Sequence, residues 1–579
     1  MGHTALLTPP ATAAPVRRAA RWLPWTVVLG VTAQFLLRLW LFRYHSAPVA
    51  NPDETGYLVA ARLLAGGAGG DLTGSTFYRG GYALLLVPAF WVTDDPETAY
   101  RIVSVIGSLV SAFAFPLASA LLVRLGMGAR VACALGFAVA LSPPALVFSG
   151  FALVDAVLPT LVLGWLLALY EHVRRGAAGP GMTAGALAGL ALATHLRGTV
   201  IFAALLLAVA ALTLLRRLPW RPALAAAGVA ATTGGAGTLL NTWLAGSLYP
   251  GGSKDLSGLA VTRMTTADGQ LRALAGAAGQ LWYLFASTWG LAALGMVALL
   301  SAAWRARRVI GPREGGHPAT SARASLALLT LAAVLLVVTA GIAYTSSAAL
   351  PDEHRVGNYV YGRYLACVAL PWMLAALAFL ARARSRQHVA PRVKALAAAM
   401  GLTVLTGALA AWHAGDRLTR YAFIPFDFPE IIFLTRTGDR LDMVTATAVA
   451  LALLAAMTAA AVRRGRAWLL LAALALPNAA FAAHLAPATP QAAAHDWLPN
   501  PPHGPVAIDN QVSWSIRVAL MHRVWWTPLT RFTGAPPRTA CSAVLTRGPA
   551  PAGWQAAGQG RDWALWTNPA CAQPGKASR

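Results

Sequence analysis

Apolar residues run along this chain in blocks long enough to cross a lipid bilayer, separated by short stretches rich in arginine, glycine and proline. A hydrocarbon core of about 30 Å needs about 20 residues of helix. On that measure the pattern predicts spans at 23–43, 101–123, 130–148, 156–172, 182–196, 199–215, 222–245, 281–303, 325–346, 365–381, 395–412, 443–462 and 467–485, thirteen in all. The short pair at 182–215 also suits a hairpin that fails to cross fully. The expectation is an α-helical polytopic membrane protein.

The loops give the spans a direction. Basic residues gather at Arg17, Arg18 and Arg21, at Arg174 and Arg175, at Arg216, Arg217 and Arg221, and at Arg305, Arg307 and Arg308. They recur at Arg382, Arg384, Arg386, Arg392 and Lys394, and at Arg463, Arg464 and Arg466. Cytoplasmic loops carry this excess, so the N-terminus (1–22) is expected inside and the tail outside. The segment 77–93 is apolar but short, and letting it span would put Arg124 and Arg130 outside. It is expected to lie in the outer interface, within a first outer loop at 44–100. Of 21 acidic residues, only Glu171 and Glu314 then face the cytoplasm. Acidic residues weigh little in setting topology, so their segregation is an independent hint that the outer face does the work.

Composition agrees with this picture and removes a rival. Hydrophobic residues make up 57% of 579 and charged ones 12%, about half the charge of an ordinary globular protein. The net charge of +25 lies in loops without the interleaved aromatics of a base-stacking platform, which argues against nucleic acid as a partner. The N-terminus lacks a small-residue cleavage site after its first apolar block and reads as a retained span. The alanine, glycine and arginine bias suggests a GC-rich bacterial genome and a plasma-membrane location.

Residues 486–579 are polar and read as a separate extracytoplasmic appendage. Pro505–Asp509 and Ser542–Thr546 look like strands, Trp514–Trp526 has helical spacing, and together they suggest a small α/β unit. Cys541 and Cys571 bracket part of it and could form one disulfide outside the cytoplasm. Cys133 and Cys367 lie in or beside spans as small core residues. The tail's tryptophans suit sugar stacking and a small core equally.

Candidate chemistry lies in the outer loops. Asn51-Pro52-Asp53-Glu54-Thr55-Gly56-Tyr57 places two carboxylates just after the first span. They are either a base or metal ligand at the lipid–water boundary or acids in the first turn of a Pro-initiated helix. Asp155 stands at the entry to a span, where an acid is costly unless paired; its plainer reading is a helix cap. His195 and Arg197 lie at an outer turn, where Arg197 either snorkels or grips phosphate. Tyr249 and Lys254 occupy the third outer loop. Arg363, flanked by Tyr361 and Tyr364 at an outer helix start, is suited to forked bonds to a phosphate, or to interfacial anchoring. No zinc, P-loop or nucleophile-elbow spacing is present.

Taken in order, these residues resemble the GT-C class of polytopic glycosyltransferases that use polyprenyl-phosphate sugars. Protein O-mannosyltransferases and lipid A aminoarabinose transferases are the nearest patterns. The resemblance is carried by Asp53-Glu54, by an interfacial helix opening Tyr78-Arg79-Gly80-Gly81-Tyr82, by Arg101 and by Leu153-Val154-Asp155. Arg363-Tyr364 running to Pro371 completes it. It covers roughly 20–480, and Gly80-Gly81 departs from the family's usual Pro-Pro.

The resemblance implies inverting transfer of a sugar to an acceptor hydroxyl on the outer face. Asp53 would be the base, with Glu54 orienting it or binding a metal and Asp155 assisting. Arg363, Arg79, Arg197, Lys254 and Tyr364 would hold the donor phosphate. Tyr57, Tyr78, Tyr82, His195, Tyr249 and Tyr361 would line the substrate. No cofactor is required by this reading; a divalent metal, magnesium or manganese, if the reaction uses one, would fall to Asp53, Glu54 and Asp155. The acceptor would be an envelope glycan, glycolipid or protein. The rivals are a lipid or polysaccharide transporter, which would need polar midplane groups and related halves, and a non-catalytic envelope-assembly protein.

Overall fold

A computed structural model describes residues 22–50, 52–307, 319–381, 389–462, 467–487, 504–513, 516–517, 521 and 529–571. Asn51, Arg308, Glu314, Arg382, Arg384, Arg386, Arg463, Arg464, Arg466 and the N-terminal basic residues fall outside them, as does most of the segment Trp514–Trp526.

Among the described residues, nine helices are long and apolar enough to cross a membrane, or ten counting one bent pair. This supports a multi-pass membrane protein and leaves the thirteen-span count unmet. Most expected spans fall on helices, α1 (Trp22–Leu41) among them. Large apolar side chains such as Trp25, Leu29, Leu207, Leu239 and Val444 remain exposed on them, as a lipid-facing surface requires.

Two expected spans are broken. The block 130–148 is helical only over Ala129–Val139, because Ser142-Pro143-Pro144 cannot continue it, and a single turn follows at Pro143–Leu146. The block 281–303 bends by 105° between Ala267–Ser287 and Leu291–Ala306. There Trp289 and Gly290 both take positive φ, 56° and 76°.

The first break leads directly into the segment that bears Asp155. Residues 140–157 run largely buried and largely irregular through the loop-rich end of the bundle. Buried carbonyls need partners, and distant side chains supply them. Gln34 of α1 donates to Phe137 O at 2.9 Å, and Arg38 donates to Ala140 O at 2.6 Å. From the last span, Ala467–Leu485, Asn478 donates to Ala138 O at 2.8 Å while accepting from the Trp289 indole.

Beyond α1 come α2 (Asp53–Leu64) and α3 (Gly80–Val92). The latter is the short apolar helix expected of 77–93. The tail forms a five-stranded sheet: β1 Val506–Asp509, β2 Leu529–Phe532, β3 Ser542–Thr546, β4 Gln555–Gln559 and β5 Trp563–Thr567. Its order is β2-β1-β3-β5-β4, parallel across β2-β1-β3 and antiparallel beyond. Ile508, Val544, Trp563 and Leu565 form its core, and Cys541 and Cys571 are disulfide-bonded. Arg531 ties the sheet to Asp71 at 2.6 Å, and Arg62 of α2 donates to Met521 O at 3.3 Å.

Candidate functional site

Asp53, Asp155 and Arg363 are far apart in sequence and meet in space. Arg363 lies in a short 3-10 turn, Gly362–Leu365, that opens the helix Ala366–Ala381. This turn packs so closely on Tyr283 that a Cβ at Gly362 would lie 1.8 Å from its ring. From there Nε of Arg363 donates to Asp155 Oδ2 at 2.9 Å and Nη2 to Asp53 Oδ2 at 2.7 Å. One planar fork therefore bridges two carboxylates, a geometry that lysine cannot reproduce.

The two acids differ in surroundings. The Asp155 side chain is 1% exposed and takes a second guanidinium, Arg197 Nη2, at 2.8 Å. Burial alone would raise its carboxyl, but Arg197 and Arg363 outweigh that and hold it down to about 2. It caps no helix. Asp53, in contrast, has a side chain 32% exposed. It accepts from Arg363 and, through Oδ1, from the Tyr78 hydroxyl at 2.9 Å. A carboxylate has about four lone-pair sites, so Asp53 keeps capacity on an accessible edge.

Glu54 is placed differently from its neighbour. It is fully buried and accepts from Val49 N (2.7 Å), Ala50 N (2.8 Å), Ala152 N (2.8 Å) and the Tyr100 hydroxyl (2.6 Å). Burial pushes its carboxyl up, against the pull of these donors. It thus fastens the irregular segment bearing Asp155 to the start of α2. With Glu54 saturated and Asp53 and Asp155 each held by guanidinium, the carboxylates do not form a divalent-metal donor set. Among the described residues no group of three or more His, Cys, Asp or Glu side chains could hold a metal.

The remaining candidates divide into those near the fork and those away from it. Tyr364 lies under the Arg197 guanidinium at 5.3 Å and 4.7 Å from the Tyr361 ring. His195 accepts from Arg197 through Nδ1, and burial followed by the charge of Arg197 keeps it neutral. Tyr57 packs edge-on against Tyr78 and Tyr82, at 5.3 and 5.0 Å. Gly56 makes room for the Tyr78 ring, 2.0 Å from where a Cβ would stand. Tyr249 accepts from Tyr78 N at 3.2 Å and so supports the ring from behind.

Arg79 donates to Leu192 O at 2.6 Å and His195 O at 3.3 Å, capping the helix that leads to Arg197. Lys254 pairs with Glu353 at 2.9 Å on the surface, and Arg101 pairs with Glu97. Neither bonds to the fork.

Tyr100, Arg38, Asp427, Glu430 and Tyr283 were not singled out in the sequence. Asp427 and Glu430 could have been flagged: Pro425-Phe-Asp-Phe-Pro-Glu430 holds two acids among aromatics and prolines with no basic residue between them. Tyr100 and Tyr283 carry no comparable signal.

No family model matches the chain, and no curated protein matches it. Among solved structures the chain is similar to ArnT from Cupriavidus metallidurans bound to undecaprenyl phosphate. That likeness has a TM-score of 0.49 and 14% identity, over 96% of this chain and 99% of that one. It is similar also to ArnT from the same organism in the apo state, with a TM-score of 0.48 and 14% identity over 94% and 98%.

Proposed function

We propose that the protein is a membrane glycosyltransferase that moves a sugar from a polyprenyl-phosphate donor to an acceptor hydroxyl on the extracytoplasmic face. The observation that carries this reading is the Arg363 fork, which joins an accessible carboxylate, Asp53, to a buried one, Asp155. The basic-loop pattern supports a cytoplasmic N-terminus and an extracytoplasmic tail.

In this reading the acceptor oxygen attacks the anomeric carbon and its proton passes to Asp53. The bond from that carbon to the phosphate oxygen breaks, the electron pair leaves with the polyprenyl phosphate, and the configuration inverts. Arg363 meets the charge that develops on the phosphate. Its Nη1 donates no hydrogen bond to the described residues, so it can add a phosphate oxygen without releasing both carboxylates. Asp155 and Arg197 hold the fork in plane, and Glu54 holds Asp155's segment. Arg79 acts through the turn at 195–197 and Lys254 at the rim. Tyr57, Tyr78, Tyr82, Tyr361 and Tyr364 supply aromatic walls.

The test is turnover of synthetic polyprenyl-phosphate sugars by the purified protein in detergent, for wild type, Asp53→Asn and Arg363→Ala. Asp53→Asn should abolish transfer and donor hydrolysis while donor binding persists. Arg363→Ala should weaken donor binding. Wild type that neither binds nor turns over any donor in a broad panel would refute the assignment.

A further inference from the structure

The connection between α2 and α3, residues 65–79, has no helix or strand of its own. Its far end carries Tyr78, whose hydroxyl bonds to Asp53. An irregular segment keeps one path only where other elements hold it, because ordering it costs conformational entropy. The tail holds this one from one side. Arg531 of β2 pairs with Asp71 Oδ2 at 2.6 Å, and Met521 packs on Gly70, where a Cβ would stand 2.8 Å from its sulfur. Arg62, buried near the end of α2, donates to Ala68 O, Gly69 O and Met521 O at 2.6, 2.9 and 3.3 Å. One guanidinium thus joins helix, connection and tail. Met521 itself is buried among the core residues of the helical body and not among those of the sheet.

The third outer loop holds the connection from the other side. Leu72 N donates to Leu248 O at 2.7 Å, Gly251 N to Thr73 Oγ1 at 3.0 Å and Lys254 N to Ser75 O at 2.9 Å. Tyr249, next to Leu248, donates through its hydroxyl to Thr76 O at 3.1 Å and accepts from Tyr78 N at 3.2 Å. Tyr78 in turn donates to Asp53 Oδ1 at 2.9 Å.

We propose that the tail is a clasp that positions Asp53. By pressing residues 70 and 71 toward the third outer loop, Met521 and Arg531 fix the path of the connection and, with it, the Tyr78 hydroxyl that orients the carboxylate. The inference rests on the reading of Asp53 as the base, and it makes Asp71, Arg531 and Met521 positioning residues of that reaction.

The division of bonds on Asp53 says what a loosened clasp would change. Arg363 holds Oδ2 and is itself fixed by Asp155, whereas Tyr78 holds Oδ1. A displaced Tyr78 leaves the carboxylate free to turn about its bond to the fork, and a misplacement of about 1 Å can cost about 100-fold in rate. The fork keeps its anchor on Asp155 throughout. Loss of the clasp should therefore lower turnover and spare the recognition of the lipid phosphate. Asp71→Asn is a mild probe of this. Asp71 Oδ1 accepts from Thr73 N at 2.9 Å, a turn that asparagine keeps while it removes the charge facing Arg531.

The experiment measures donor hydrolysis and binding of sugar-free polyprenyl phosphate by the full-length protein in detergent. The donor is the lipid that wild type hydrolyses best among polyprenyl-phosphate mannose, glucose and arabinose. Wild type is compared with Asp71→Asn, Met521→Ala, Tyr78→Phe, Asp53→Asn and the Asp71→Asn/Tyr78→Phe double variant, each checked by thermal melting. Asp71→Asn and Met521→Ala should each lower kcat about 3- to 30-fold, with sugar-free affinity within about twofold of wild type. Tyr78→Phe should lower kcat at least as much. Adding Asp71→Asn to it should cost less than about twofold more, because the tail acts through a hydroxyl already removed. A tail that served only to stabilise the fold would lower activity alike in both backgrounds.

Wild-type kcat in a folded Asp71→Asn or Met521→Ala, losses that multiply in the double variant, or a parallel loss of sugar-free affinity each overturns the inference. If Asp53→Asn is inactive in any of those cases, the glycosyltransferase reading survives and only the clasp falls. If wild type neither binds nor hydrolyses any lipid of the panel, both fall.

Discussion

Replacing Asp53 and Asp155 by asparagine makes the same chemical change at two acids that share one arginine, and the outcomes should differ. Asp155 is 1% exposed and neutralises two buried guanidiniums, at 2.8 and 2.9 Å. Its carboxyl lies at about 2 instead of 3.8, which at about 1.4 kcal/mol per unit is on the order of 2 kcal/mol. Breaking a buried pair costs more, about 3–5 kcal/mol, because the guanidiniums left behind are themselves desolvated. The larger figure is the better guide here, since a neutral amide in place of the Asp155 carboxylate would leave Arg197 and Arg363 facing each other. Asp53 is 32% exposed, water screens it, and about 1 kcal/mol is expected.

Melting in detergent, followed by tryptophan fluorescence, reads this difference beside donor hydrolysis. A loss of about 1 kcal/mol moves a domain of about 150–250 residues by about 2–4 °C and a longer chain by less. Asp155→Asn should thus lower the midpoint by several degrees. Asp53→Asn should lower it only slightly and yet remove turnover. Equal melting losses would refute the division of labour, and full turnover in Asp53→Asn would remove it as base.

Three further outcomes rest on the same geometry. Tyr100→Phe removes one of four donors to Glu54 at a cost of about 1.5–3 kcal/mol, so melting should drop while affinity for sugar-free polyprenyl phosphate stays near wild type; a matching loss of affinity would place Glu54 in the binding site. Gly362→Ala forces a Cβ against Tyr283, at an overpacking cost of about 1–3 kcal/mol, and should weaken lipid-phosphate binding through Arg363; normal affinity would show that the turn yields without moving the fork. Asp427 and Glu430, raised to about 6 and 7 from 3.8 and 4.5, hold protons in the folded state that the unfolded chain has released. Their contribution is therefore fully present below about pH 4 and lost as pH rises through about 6 and 7, so wild-type melting should fall between about pH 5 and 8 and the Asp427→Asn/Glu430→Gln double variant should show a flatter profile.

Much of the bundle was legible because bilayer-crossing helices announce themselves by length and apolarity. The breaks at 140–143 and 288–290 were not, since an apolar block looks alike whether straight or bent. Asp53, Asp155 and Arg363 stood out as charges at the edges of apolar blocks, where a charge needs a reason. Which partners they take was illegible, because the fork joins residues separated by 310 and 208 positions. Glu54 shows the limit most clearly. Adjacent to Asp53 and chemically near-identical, it turns inward by about 100° of helix and becomes a fastening for backbone amides. Arg79 likewise has the sequence position of a phosphate ligand and the bonds of a helix cap. The strands at 506–509 and 542–546 were readable from β-branched and apolar patterning, but their parallel pairing depends on crossovers that no local pattern records.

The carbonyls of residues 137, 138 and 140, at the foot of the segment carrying Asp155, are held by Gln34 and Arg38 on α1 and by Asn478 on the helix Ala467–Leu485. A ribosome delivers these about 440 residues apart. While the chain is being inserted, the early helices can gather around Arg38, but the final clasp from Asn478 does not yet exist. The last of the bonds that hold this segment therefore forms only after the helix Ala467–Leu485 has been made. Chains that end between Arg363 and Asn478 would carry Asp53, Asp155, Arg197 and Arg363 without the clasp from Asn478.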